Sequence, residues 1–179
     1  MAPEPPPVTE ADREFAMPEA NGLQLRIWLR LLTCTQMIER RVRTELRLDF
    51  DTTLPRFDVL AQLDAADGEL SMGELSARLM VSSGNVTSLI DSLERDELVA
   101  RVPHPVDRRS ILIRMTRRGR SAFAEMVPQH RAWIDTMMNG MSRTDMRALL
   151  DLLGKLKQSI RHGEVALSAA DRQEGAQAR

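Results

Sequence analysis

The sequence has one cysteine, Cys34, no tyrosine, and no run approaching ~18 consecutive apolar residues. A lone cysteine excludes an intramolecular disulfide framework. Without a long apolar run there is no membrane span, and the N-terminus lacks the basic start and apolar stretch of a secretory signal. A cytoplasmic protein is the expectation. Its three histidines (His104, His130 and His162) are scattered, without the spacing of metal ligands. No nucleophile–base pair, glycine-rich phosphate loop or paired carboxylates stand out, so neither an enzyme nor a cofactor is expected. The net charge of −1 makes no global case for nucleic acid, so the distribution of charge has to decide.

What is present is enough for one domain with an oligomerisation arm: 179 residues, 42% of them hydrophobic and 28% charged. Residues 1–20, with prolines at 3, 5, 6 and 7, have the composition of a flexible arm. Residues 163–179, rich in Ala, Gln and charge, are expected to form a flexible tail beyond a helix stop at Gly163. Leu23, Ile27, Leu31, Cys34, Ile38 and Val42 form an apolar stripe at helical spacing, and Leu25, Trp28, Leu29, Leu32 and Met37 add a second face. A helix apolar on most of its circumference needs burial on two sides. Thr52, Thr53 and Pro55 mark the next helix start, with Phe57, Leu60 and Leu63 inward and a break near Asp67-Gly68. Near the end, Thr116 caps a helix running to about Asn139 and kinked at Pro128. A last helix opens at Ser142 and repeats Met146, Leu149, Leu153, Leu156 and Ile160, a seam suited to another helix.

Between these arms, Val81 to Thr116 organises the chain. Ser71-Met72-Gly73-Glu74 is an S-x-x-E capping box opening a short helix. After a tight turn, Ser82 or Ser83 starts a second helix whose inward stripe is Val86, Leu89, Ile90 and Leu93, which makes a helix-turn-helix. Its outer residues are small and polar, the kind that let a helix approach base edges. Two β-prone runs, Leu98–Val102 and Ile111–Met115, flank a stiff tip, Pro103 to Ser110. Seven arginines (101, 108, 109, 114, 117, 118 and 120) against one acid, Asp107, lie between Arg101 and Arg120. An arginine on such a tip can enter the minor groove. The candidate DNA contacts are therefore Ser82, Ser83, Asn85, Val86, Thr87 and Ser88 on the helix, with Asp107, Arg108 and Arg109 on the tip. Asp107 is placed to brace Arg109.

Glu94-Arg95-Asp96-Glu97-Leu98-Val99-x-Arg101, then Asp107-x-Arg109, then Met115-Thr116-x-x-Gly119, resemble the MarR family of multiple-antibiotic-resistance-type regulators. The resemblance covers about Leu23 to Ile160. It implies a mainly α fold with a small β-hairpin wing, a winged helix-turn-helix between intertwined N- and C-terminal dimerisation helices. In those terms residues 21–50 are the N-terminal dimerisation helix, 51–116 the DNA-binding domain and 117–162 the C-terminal dimerisation helices. It also implies a homodimer on a palindromic operator, with repression relieved by a small ligand. By matched position, Ser82 to Ser88 lie in the major groove and Arg109 in the minor groove, oriented by Asp107. Ser83-Gly84-Asn85 departs from the family pattern, since glycine in a helix costs ~1 kcal/mol relative to alanine. Asp51–Asp58 together with Met80–Thr87 is similar to a branch associated with aromatic-acid catabolism, some of whose members sense hydroxycinnamoyl-CoA thioesters. The expected effector is thus an aromatic acid or its CoA thioester, met where the dimer helices join the winged domain by Trp28, Leu32, Arg40, Phe57 and Met126. Each of these also has an ordinary reading as plain core packing.

Two rivals remain. Cys34 could make the chain a thiol-based redox sensor, but its place in the apolar stripe predicts burial. The hydroperoxide-sensing relatives also surround their cysteine with tyrosines, which this chain lacks. A helical protein-interaction module without DNA binding accounts for the apolar helices but not for the polar helix face or the arginine tip.

Overall fold

The computed structural model describes residues 22–106 and 110–177. The expected arm at 1–20 and the tip residues Asp107, Arg108 and Arg109 lie outside them. The order is α1 (Leu23–Phe50), α2 (Leu54–Asp64), β1 (Glu69–Ser71), α3 (Met72–Leu79), α4 (Ser83–Arg95), β2 (Val99–Pro103), β3 (Ile111–Met115), α5 (Arg117–Met138) and α6 (Arg143–Gln177). The fold is mainly helical with a small antiparallel sheet, a winged helix-turn-helix. The chain divides into two compact units, one ending at Ile134 and the other beginning at Asp135.

In the first unit the core gathers the C-terminal half of α1 (Val42, Leu46), α2 (Phe57, Val59, Leu60, Leu63), Leu75 of α3, Val86, Ile90 and Leu93 of α4, the strands, and Phe123 and Met126 of α5. The stripe on α1 is buried only at this end. Leu23, Ile27 and Trp28 are exposed, and so is Cys34, contrary to the burial expected of it. Apolar periodicity reports that a face wants cover, not that its own domain supplies it.

Thr53 takes the N-cap position of α2 without a side-chain bond, and Pro55 sits in the first turn. The capping box of α3 is complete: the Glu74 amide donates to Ser71 Oγ at 3.2 Å, and the Ser71 amide donates to the Glu74 carboxylate at 2.8 Å. The bonds from Ser71 hold the Glu74 carboxyl below the usual carboxylate range. Strand β1 is the one element the sequence conceals, because three residues with a single buried side chain, Leu70, are too few to show alternation. It pairs with β3 through Leu70–Ile113, giving the sheet order β1-β3-β2. Strand β2 starts one residue later than expected, and β3 coincides with its reading.

Helix α4 ends in a Schellman motif. The Leu98 amide donates to Leu93 O at 2.9 Å and the Glu97 amide to Glu94 O at 2.9 Å, with Glu97 itself left-handed at φ 60°. Thr116 then joins this corner to α5. Its Oγ1 donates to the Glu97 carbonyl at 2.6 Å and accepts from the Gly119 amide at 2.9 Å. Helix α5 runs as one element across Pro128, where the sequence predicts a kink. Phe57 stacks on His130 with centroids 4.7 Å apart, and burial pushes the imidazole below its ordinary pKa.

In the second unit Ser142 caps α6, accepting from the Asp145 amide at 3.1 Å. Helix α6 continues past Gly163 to Gln177, so the helix stop expected at Gly163 is corrected. One glycine is a small penalty within a stretch containing Glu164, Ala166, Leu167, Ala169 and Ala170, mostly strong helix formers. Leu149, Leu150, Leu152, Leu153 and Ile160 are all exposed. No helix of the described residues is long and apolar enough to cross a membrane.

Candidate nucleic-acid interface

Helix α3, the turn at Met80-Val81 and helix α4 form the helix-turn-helix. Met80 closes α3 in the left-handed region at φ 54°, which turns the chain sharply enough for Ser82 to serve as the N-cap of α4. Ser82 accepts no capping bond through its side chain, so its hydroxyl stays uncommitted to the helix. Ser82, Ser83, Gly84, Asn85, Thr87 and Ser88 are all exposed. Val86 is a correction: it is 0% exposed, facing the core with Ile90 and Leu93, and cannot touch DNA. The hydroxyl protons of Thr87 and Ser88 go to the helix itself, to Ser83 O at 3.0 Å and Gly84 O at 3.4 Å. With their protons so used, those two hydroxyl oxygens can serve a further partner only as acceptors.

Two arginines fix the other half of α4 from opposite elements. Arg56 of α2 donates from Nη1 to Ser92 Oγ at 2.7 Å and from Nη2 to Asp96 at 2.5 Å. Its bond and charge hold the Asp96 carboxyl below the usual range. Arg101 of β2 donates from Nη2 to Asp91 at 2.6 Å and from Nη1 to Glu94, while its amide donates to the same Glu94 at 3.2 Å. These bonds, that to Asp91 foremost, raise the Arg101 pKa further. The clamp orients α4 and also offsets most of the charge of three acids that would otherwise repel phosphate, two guanidinium groups facing three carboxylates. Sequence reasoning includes Arg101 and Arg56 in motifs but misses the partners of both and gives Arg56 no role of its own. Arg56 lies 36 and 40 residues from the groups it holds, which no local pattern can report.

The basic run is correspondingly less free than its composition suggests. Besides Arg101, Arg114 pairs with Glu69 at 2.5 Å and Arg118 with Glu97 at 3.1 Å. The hairpin narrows through the His104 amide, which donates to Ser110 O at 3.0 Å, and the Val106 amide, which donates to His104 Nδ1 at 3.2 Å.

The five residues expected at an effector site are not brought together. Phe57 and Met126 are core residues, whereas Trp28, Leu32 and Arg40 are exposed on α1. An open cleft at the hairpin, lined by Arg101, Val102, Pro103, Ser110 and Ile111, includes none of them. Among the described residues no cluster of histidine, cysteine or carboxylate is arranged to hold a metal.

A profile of the MarR family matches residues 50–110. The transcriptional activatory protein BadR of Rhodopseudomonas palustris is 34% identical over 140 residues, covering 76% of this chain and 79% of that one. The chain belongs to the MarR family. This regulator is also 34% identical over 106 residues to the transcriptional repressor YetL of Bacillus subtilis, covering 59% of its own length and 64% of that relative. A cysteine-to-serine variant of MarR from E. coli, solved in complex with operator DNA, matches it with a TM-score of 0.63 at 27% identity, over 71% of this chain and 91% of that one. These relatives are DNA-binding transcription regulators, not enzymes, and so is this protein.

Proposed function

We propose that this MarR-family regulator binds a palindromic operator as a homodimer, represses transcription there, and is released by an aromatic acid or its CoA thioester. The observation that carries the reading is the exposed, uncharged start of α4, from Ser82 to Ser88, held by guanidinium clamps on either side of its far half. Such a face suits the major groove, where small polar groups meet base edges. Asp107, Arg108 and Arg109 at the hairpin tip are proposed as the minor-groove element. The exposed apolar faces of α1 and α6 support a second copy as partner, and two α4 helices related by a dyad match half-sites about 34 Å apart.

An effector acts by preferring a dimer with a different helix spacing, and it weakens operator binding by its differential affinity for the two states. Trp28, Leu32 and Arg40 are the contacts we propose for it, as exposed side chains on the helix that meets the partner. Phe57 and Met126 act by packing beneath. The test is titration of a hydroxycinnamic acid and its CoA thioester against the dimer on labelled operator. Release by either is the expected result, and full operator binding at saturation with both rejects the effector class. The exposure of Cys34 gives redox sensing one observation in its favour. Cys34→Ser is expected to leave the titration unchanged, and peroxide-dependent release that disappears in this variant reverses the choice.

A further inference from the structure

We propose that Asn85 reads an adenine in each operator half-site, making A·T the base pair that the recognition helix specifies. The proposal rests on the DNA-binding reading above and deepens it. From Ser82 to Ile90 the helix carries no charged side chain, so none of these residues can make the bidentate arginine or lysine contact that reads guanine O6 and N7. Arg56 and Arg101 are committed to Ser92, Asp91, Glu94 and Asp96, and do not supply one either.

What remains on the exposed face are hydroxyls and one amide. A serine or threonine hydroxyl serves either a donor or an acceptor on a base and does not by itself discriminate. Those of Thr87 and Ser88 have given their protons to Ser83 O and Gly84 O, which leaves only acceptors, and leaves the Thr87 methyl able to meet a thymine methyl. The Asn85 carboxamide alone pairs a donor with an acceptor in one plane. That pair matches the N7 acceptor and N6 amino donor of adenine, whereas guanine presents two acceptors along the same edge. Asn85 is exposed in the first turn of α4, the part of a recognition helix that meets base edges. Gly84 beside it removes a side chain: a Cβ there meets no heavy atom within 4 Å among the described residues, so the glycine leaves the helix free to approach closely.

The experiment selects operators from a random duplex pool with the full chain, wild type and Asn85→Ala, and then measures affinity by fluorescence anisotropy. The wild type is expected to enrich a half-site with a strongly preferred adenine, and Asn85→Ala to lose preference at that position alone. Replacing that adenine by 7-deazaadenine, which lacks N7 and so removes one of the two bonds, should weaken wild-type binding by roughly 5-fold or more, toward the low end of the range of a whole bidentate contact. It should change Asn85→Ala by less than about two-fold. The modified duplex tests the idea on the unaltered protein, so a folding defect in the variant cannot obscure the answer. Unchanged adenine preference in Asn85→Ala, or an indifferent wild type on the modified duplex, overturns the proposal. A wild type that enriches no sequence overturns the operator reading itself and this inference with it.

Discussion

Gly84 sets a conflict between folding and binding that a single methyl group can expose. Its backbone is helical and nothing in the described chain occupies the space of a Cβ, so alanine fits without strain. Gly84→Ala is expected to stabilise the helix by up to ~1 kcal/mol, raising the melting temperature by about 2–4 °C for a chain of this size. On operator DNA the same methyl stands between helix and groove, and affinity should fall by about ten-fold, equivalent to ~1.4 kcal/mol. Thermal melting and anisotropy on one preparation check both halves. A higher melting temperature with unchanged affinity removes any binding role from this glycine. Much of this face was legible in the sequence, because a run of small polar residues opposite Val86 and Ile90 is a local pattern. The clamping arginine Arg56 was not, since its partners are brought to it only by tertiary packing.

Among the elements, the corner joining α4 to β2 and α5 decides whether the wing is held in register with the recognition helix. A Cβ on Gly119 would lie 2.0 Å from the Leu98 carbonyl oxygen, and backbone cannot yield as a side-chain tip does. Gly119→Ala is therefore expected to destabilise by about 3 kcal/mol or more, the upper end for overpacking, read as a lower denaturation midpoint. Stability within about 0.5 kcal/mol of wild type would show that the corner relaxes freely. The T-x-x-G motif could be seen in the sequence; its reason could not, because Thr116 and Gly119 act on a carbonyl and a helix end supplied by Glu97 and Leu98. The helix ends were harder still. Asp51, Asp67, Met80 and Glu97 occupy left-handed positions that glycine or asparagine would have advertised. The end of α6 misled in the opposite sense: Gly163 reads as a terminator and is only a weak spot in a helix that continues to Gln177.

At the scale of the molecule, the unanswered demand is cover for apolar surface. Leu149 and Leu153 of α6 lie on the a/d seam and are each 38% exposed, and Trp28 of α1 is 57% exposed. The proposed dimer supplies that cover. The double variant Leu149→Glu, Leu153→Glu is expected to sediment as a monomer at concentrations where the wild type is a dimer. Its operator affinity should fall at least about a hundred-fold, because two half-sites are no longer engaged together. A dimeric double variant with wild-type affinity would move the interface elsewhere. The fold class followed from the sequence because periodicity and turn chemistry are local. The surroundings of the five residues chosen for an effector were not legible in the same way, because only packing divides them between the core and an exposed helix.

The absence of charge from Ser82 to Ile90 separates two steps of DNA recognition in time. Attraction to phosphate must come from cations off that face, so ionic strength acts on landing and on affinity for any duplex alike, whatever its sequence. The uncharged face contributes only once it is seated, and the bases beneath it set how long the protein stays. A change of salt should alter how often the operator is visited. A change of sequence should alter the length of each visit.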